Sequence, residues 1–108
     1  MATTYLSPQQ LKDFAQRVEE VAKRFPGEVV RIRHSFSRDW DGDPAIYFRI
    51  VVTDDARRRA PLAELTGKIK RTLIDDLALF ASEYSVYIPY FNFRTKSEQD
   101  QVKSPEWE

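Results

Sequence analysis

Between residues 28 and 53 the apolar side chains of this 108-residue chain recur at every second position, and on either side they recur every third or fourth. Period two is the signature of a half-buried strand, and a period near 3.6 that of an amphipathic helix. A chain that switches period in this way must lay a sheet against helices. In the first run Val30, Ile32, His34 and Phe36 point one way, and Val29, Arg31, Arg33 and Ser35 the other. In the second, Ile46, Phe48, Ile50 and Val52 oppose Ala45, Tyr47, Arg49, Val51 and Thr53. The polar residues 37–44, with Asp41-Gly42 among them, join the runs as a hairpin with a longer loop than the tightest kind.

Ahead of the hairpin, after a short lead-in, Ser7-Pro8-Gln9-Gln10 supplies a cap, a first-turn proline and a capping-box glutamine. Leu11, Phe14, Val18, Val21 and Phe25 then form one apolar stripe, ended by Pro26-Gly27. Beyond the hairpin, residues 54–60 read as a charged connector and Pro61 as the start of a second helix. Its stripe is Leu62, Leu65, Ile69, Leu73, Leu77 and Phe80, widened by Ile74 and Leu79, and Gly67 offers a place for close packing. Residues 84–93 read as a third strand, and Pro89, which cannot donate a ladder hydrogen bond, assigns it to an edge or a bulge. The expected fold is an α+β two-layer sandwich of order α-β-β-α-β. Its three-stranded mixed sheet carries both helices on one face, with strands two and three parallel. Residues 1–94 form the single domain, and residues 95–108 read as a flexible polar tail in which Trp107 is a natural anchor.

Composition narrows the function. Seventeen basic residues balance seventeen acidic ones, so the chain is no bulk polycation for nucleic acid or anionic lipid. The absence of cysteine removes disulfides, thiol nucleophiles and Cys-based metal sites. No apolar run approaches the roughly 20 residues of a membrane helix, and no signal-peptide pattern opens the chain, so a cytoplasmic location without membrane contact is expected.

Helices on one face leave the other open. A register placing Ile46 opposite His34, Phe48 opposite Ile32 and Ile50 opposite Val30 gathers the apolar sets. It also sets Arg31 beside Arg49 and Arg33 beside Tyr47 on the open face. Tyr87 is expected there too, with Phe91 and Phe93 if no bulge intervenes. The candidate binding residues are therefore Arg31, Arg33, Tyr47, Arg49 and Tyr87. Such a basic and aromatic face fits a protein interface, including one with a second copy, or single-stranded RNA. Two arginines directly opposite repel, which a bound anion or an acidic partner would relieve.

The remaining candidates carry less. Asp39, Asp41 and Asp43 alternate, but the glycine and glutamate positions of a calcium loop counted from Asp39 hold Pro44 and Ile50. Asp54 and Asp55 lie a strand away, roughly 30 Å at 3.3 Å per residue. His34, the single histidine, falls on the core side near the loop. Ser35 and Ser37 beside it show no orienting third group. Arg57-Arg58-Arg59, with Lys68, Lys70 and Arg71 further along, reads as a solvated turn able to meet a phosphate or an acidic segment.

The order of elements over about residues 8–93 resembles the minimal nucleotidyltransferase family, small bacterial proteins often encoded as antitoxins beside a toxin. That family ends its first strand with Gly-Ser and opens its second with a magnesium-binding Asp-x-Asp. Here the first reads His34-Ser35, and Ala45 and Tyr47 stand where the acids belong, with Asp41 and Asp43 earlier in the loop. The resemblance therefore implies a non-catalytic relative without the magnesium site, and no catalytic residue or cofactor carries over. The leading expectation is a small non-catalytic protein-interaction module that binds a protein partner or itself. The alternatives are a single-stranded RNA binder on the same face and a magnesium-dependent nucleotidyltransferase using Asp41 and Asp43.

Overall fold

The computed structural model describes residues 6–108, so the lead-in before Leu6 lies outside the described residues. Helix α1, Pro8–Lys23, starts with the expected capping box: the Ser7 hydroxyl accepts from the Gln10 amide, and the Gln10 side chain accepts from the Ser7 amide. Strands β1, Val29–Arg38, and β2, Pro44–Val52, pair antiparallel, and β2 pairs parallel with β3, Ile88–Thr95. The sheet order is β1-β2-β3, so β3 is an edge strand, one of the two placements that Pro89 allows. Helix α3, Leu62–Asp76, follows a short helix α2, Asp54–Arg59. Phe14, Val18 and Val21 of α1 and Leu65, Ile69 and Leu73 of α3 share one core with Ile32, Ile46, Phe48, Ile50 and Val52. Both long helices thus cover one face, and the α+β sandwich of order α-β-β-α-β stands.

The hairpin register differs from the expected one by two residues. His34 faces Phe48, Phe36 faces Ile46 and Ile32 faces Ile50, while Arg33 faces Arg49 and Arg31 faces Val51. The loop chemistry decides this. The Asp39 carboxylate accepts from the amides of Asp41 (3.0 Å) and Asp43 (2.9 Å), and Gly42 takes a left-handed φ of 86° that a β-carbon would strain. The loop therefore centres on Asp41, and Arg38 pairs with Pro44. A shift of two keeps every side chain on its expected face. A bulge between Val29 and Arg31 makes the exception: Val29 packs on the core and Val30 turns outward.

Four further expectations are corrected. Residues 54–59 are helix α2 rather than a connector; Thr53 caps it, Asp54 and Asp55 stand in its first turn and the three arginines in its last, matching the helix dipole. The second long helix stops at Asp76, because Ala78 adopts a left-handed φ of 48° and sends the chain off its axis. Leu77 and Leu79 stay buried, but Phe80 is 64% exposed and leaves the stripe. A β-carbon on Gly67 would meet only the Arg71 side chain of its own helix, so no neighbouring element packs closely there. The fourth correction concerns residues 95–108, which fold back instead of trailing. Helix α4, Lys96–Val102, opens with a Thr95–Glu98 capping box, and a 3₁₀ turn, Pro105–Trp107, buries Trp107.

His34 lies on the helix-covered face, its ring centroid 5.1 Å from Phe14 and 5.9 Å from Phe36. Burial lowers its pKa below the usual 6.5, and the nearby Arg33 charge adds to the effect. The folded state thus favours neutral imidazole. That contribution is complete above pH 6.5 and is lost as pH falls through the depressed folded value. Urea titrations should show stability declining on acidification below pH 6.5, with the part due to His34 absent from His34→Phe.

Candidate interaction surface

Parity along three strands defines the uncovered face. From β1 it receives Arg31, Arg33, Ser35 and Ser37; from β2 Ala45, Tyr47, Arg49 and Val51; from β3 Ile88, Tyr90, Asn92 and Arg94. Four of the five sequence-selected residues, Arg31, Arg33, Tyr47 and Arg49, are brought together here. Tyr87 is not. It precedes β3, is 2% exposed, and sets its ring edge-on to Phe36 at 5.1 Å on the opposite, core side. The cause is the 3₁₀ turn Glu83–Val86, capped by Ser82, which delays the strand. Tyr84 and Tyr87, three apart and both buried, are the spacing that such a turn eclipses. Phe91 and Phe93 likewise face the core, Phe91 stacked on Phe48 at 5.2 Å. Tyr90, Asn92 and Arg94 take the outer positions that the sequence reading missed. Strict alternation with the apolar pair Phe91 and Phe93 inward would have found them.

The C-terminal residues close one end of this face. The Trp107 ring lies 4.1 Å from the Arg94 guanidinium carbon, and Arg94 Nη1 donates to Gln99 Oε1 (2.9 Å) and Ser104 Oγ (3.0 Å). Arg31 Nη1 donates to the Trp107 carbonyl (3.2 Å) and Arg33 Nε to the Glu108 main-chain oxygen (3.0 Å). Gln99, fully buried, donates to the Ser104 carbonyl (2.9 Å) and to the Glu108 carboxylate. These contacts form a strap across the sheet. The facing pair Arg33 and Arg49 is thereby relieved from within: Arg33 meets Glu108 and, at 3.8 Å, Glu19, while Arg49 donates to Ser35 Oγ (2.9 Å).

Beyond the strap the face stays open. Tyr47 and Tyr90 stack at 5.1 Å with an interplanar angle of 15°, and the Arg49 guanidinium lies 5.8 Å from the Tyr47 ring centroid. Tyr90 donates its hydroxyl to Asp39 Oδ2 (2.8 Å). That bond pushes the phenol up to about 12 and lowers the Asp39 carboxyl. At the hairpin end of the sheet Trp40, Val86 and Ile88 are exposed, Trp40 by 88%. On the helix side of β3 a groove of about 760 Å³ is lined by Val52, Leu62, Lys70, Phe91 and Phe93 among others. Asp41 and Asp43 are exposed on the loop, and Ser37 and Ser35 belong to the strand face. Among the described residues no three His, Asp or Glu side chains are grouped to hold a metal ion, and no helix is long and apolar enough to cross a membrane.

No family model matches the chain, and no curated protein does. Among solved structures it is similar to substituted variants of the MamM CTD. One shares 14% identity at a TM-score of 0.46, covering 82% of this chain and 98% of that one. Another shares 16% identity at 0.46, covering 82% and 96%. At this level the similarity is one of distant shape.

Two outcomes follow. Trp107→Ala should cost about 3 kcal/mol in chemical denaturation, as for truncating a buried tryptophan. It should also remove amide-exchange protection from α4 while leaving β1 and β2 protected. The Tyr90 ring signal should titrate near pH 12 and return toward 10 in Asp39→Asn. Because the folded phenol is the weaker acid, the stabilisation from this bond is complete below pH 10 and lost as pH rises through about 12.

Proposed function

We propose that this chain is a non-catalytic protein-interaction module that associates with a second copy of itself through the β3 side of its sheet. The observation that carries this reading is the contrast between the two sheet edges. Edge strand β1 has the devices that discourage further pairing: Arg31, Arg33 and Arg38, a bulge at Val30, and a strap across its face. Edge strand β3 has eight residues, of which positions 90–93 read Tyr-Phe-Asn-Phe without a charge. Among the described residues no main-chain hydrogen bond reaches residues 88–94 from outside the sheet. A zero formal charge adds no long-range repulsion between copies.

The RNA reading loses its cations. Arg31, Arg33 and Arg94 are bound to the strap and Arg49 to Ser35, leaving the open half of the face aromatic but poor in free positive charge. The nucleotidyltransferase reading gains no support from the loop, where Asp39 is engaged by two amides and a phenol. Sedimentation velocity from low to high micromolar protein should show the mass rising from one chain toward two, with little dependence on salt. A single-chain mass at every concentration overturns the proposal.

A further inference from the structure

Resting on that self-association, we infer that two copies join edge to edge through antiparallel β3 strands, with Asn92 of each copy directly opposite Asn92 of the other. The joint is a six-stranded sheet with a two-fold axis perpendicular to it, the symmetry that closes most dimers. Such an axis keeps the faces aligned, so the residues opposite one another must share a face, and one residue of β3 must sit on the axis itself.

Alternation along β3 leaves few choices. With Phe91 on the axis, Pro89 would stand opposite Phe93, so a residue without an amide proton enters the ladder near its centre. With Asn92 on the axis, Phe91 of each copy meets Phe93 of the other on the helix side, and Tyr90 meets Arg94 on the outer side. Pro89 then falls opposite Thr95 at the ends of the ladder, where a missing donor does least harm. This register pairs all four phenylalanines across the seam and places no like charges opposite one another.

The groove completes the fit. Phe91 and Phe93, the two rings facing each other across the axis, belong to the apolar floor of the groove beside α3. They are only half-buried in one copy, and Lys70 lies 5.6 Å from the Phe91 ring. Edge pairing sets the two floors side by side and covers the ring edges that a single copy leaves to solvent. Asn92 is exposed and its side chain lies on the outer face, so substitutions there leave the core untouched.

The chain contains no cysteine, so Asn92→Cys introduces a single thiol. Directly opposed antiparallel residues stand about 4.5–5.5 Å apart at Cα, inside the span of a disulfide. Mild oxidation of Asn92→Cys should give a covalent dimer on a non-reducing gel, and Ser85→Cys, on an exposed turn, should not. Asn92→Lys and Asn92→Asp should each sediment as single chains, because like charges then face each other. An equimolar mixture of the two should recover dimers, which also shows that both variants fold. A wild type that dimerises while Asn92→Cys stays uncrosslinked, or while both charged variants still dimerise, overturns the edge register and leaves self-association standing. A wild type that remains single-chain overturns both.

Discussion

The Asp39 carboxylate accepts hydrogen bonds from the amides of Asp41 and Asp43 and from the hydroxyl of Tyr90, so one side chain touches the loop after β1, the approach to β2, and β3. The register of the whole sheet hangs on it. The loop it closes fixes Arg38 opposite Pro44, and from there each β1–β2 pair as far as Arg31 opposite Val51 follows by counting, up to the bulge before Val29. Parallel pairing of β2 with β3 has no tight turn to fix it, since the connection passes through two helices and a 3₁₀ turn. The Asp39–Tyr90 bond supplies the missing reference point, holding Tyr90 beside Tyr47 and hence Phe91 beside Phe48.

Charge is arranged to be satisfied inside the molecule. A face with four arginines in a neutral chain invites an external anion, yet each of them has a partner within the fold. Those partners are mostly neutral: carbonyl oxygens, two hydroxyls and a glutamine. Hydrogen bonds from a guanidinium to such acceptors are directional, so the arginines fix the position of a chain segment, and Arg33 also meets the Glu19 carboxylate at 3.8 Å. The one aromatic contact in the set, Arg94 against Trp107, gives the strap its apolar footing.

Much of the architecture was legible because its signals are local and redundant. The capping box at Ser7, the stripe from Phe14 to Val21 and the two alternating runs each announce one element without reference to the rest. Faces were legible for the same reason: a register error of two leaves parity intact, so Arg31, Arg33, Tyr47 and Arg49 reach the surface assigned to them. The misses share a different cause. Tyr87 was misplaced because a short 3₁₀ turn changes the period before the strand begins, and the same shift moved Phe91 and Phe93 inward. The C-terminal helix was hidden by its polarity. Its capping box, Thr95 to Glu98, was present in the sequence, but its end is a lysine in the left-handed region, where glycine or asparagine would have been read as a stop. The two unlike edges of the sheet could not be seen at all before the strand order was known.

The strap also combines contacts of very different sequence separation. Arg31 and the Trp107 carbonyl it binds are 76 positions apart in the chain, while Arg94 and Ser104 are separated by 10. The short-range half can collapse onto β3 as soon as that strand exists. The long-range half has no landing place until β1 has joined the same sheet, a step that waits on the slow closure of distant strands. Until then Arg31 and Arg33 lack their main-chain partners at Trp107 and Glu108. In the finished fold one C-terminal segment thus ties together the two outer strands of the sheet, β1 and β3, which share no direct pairing.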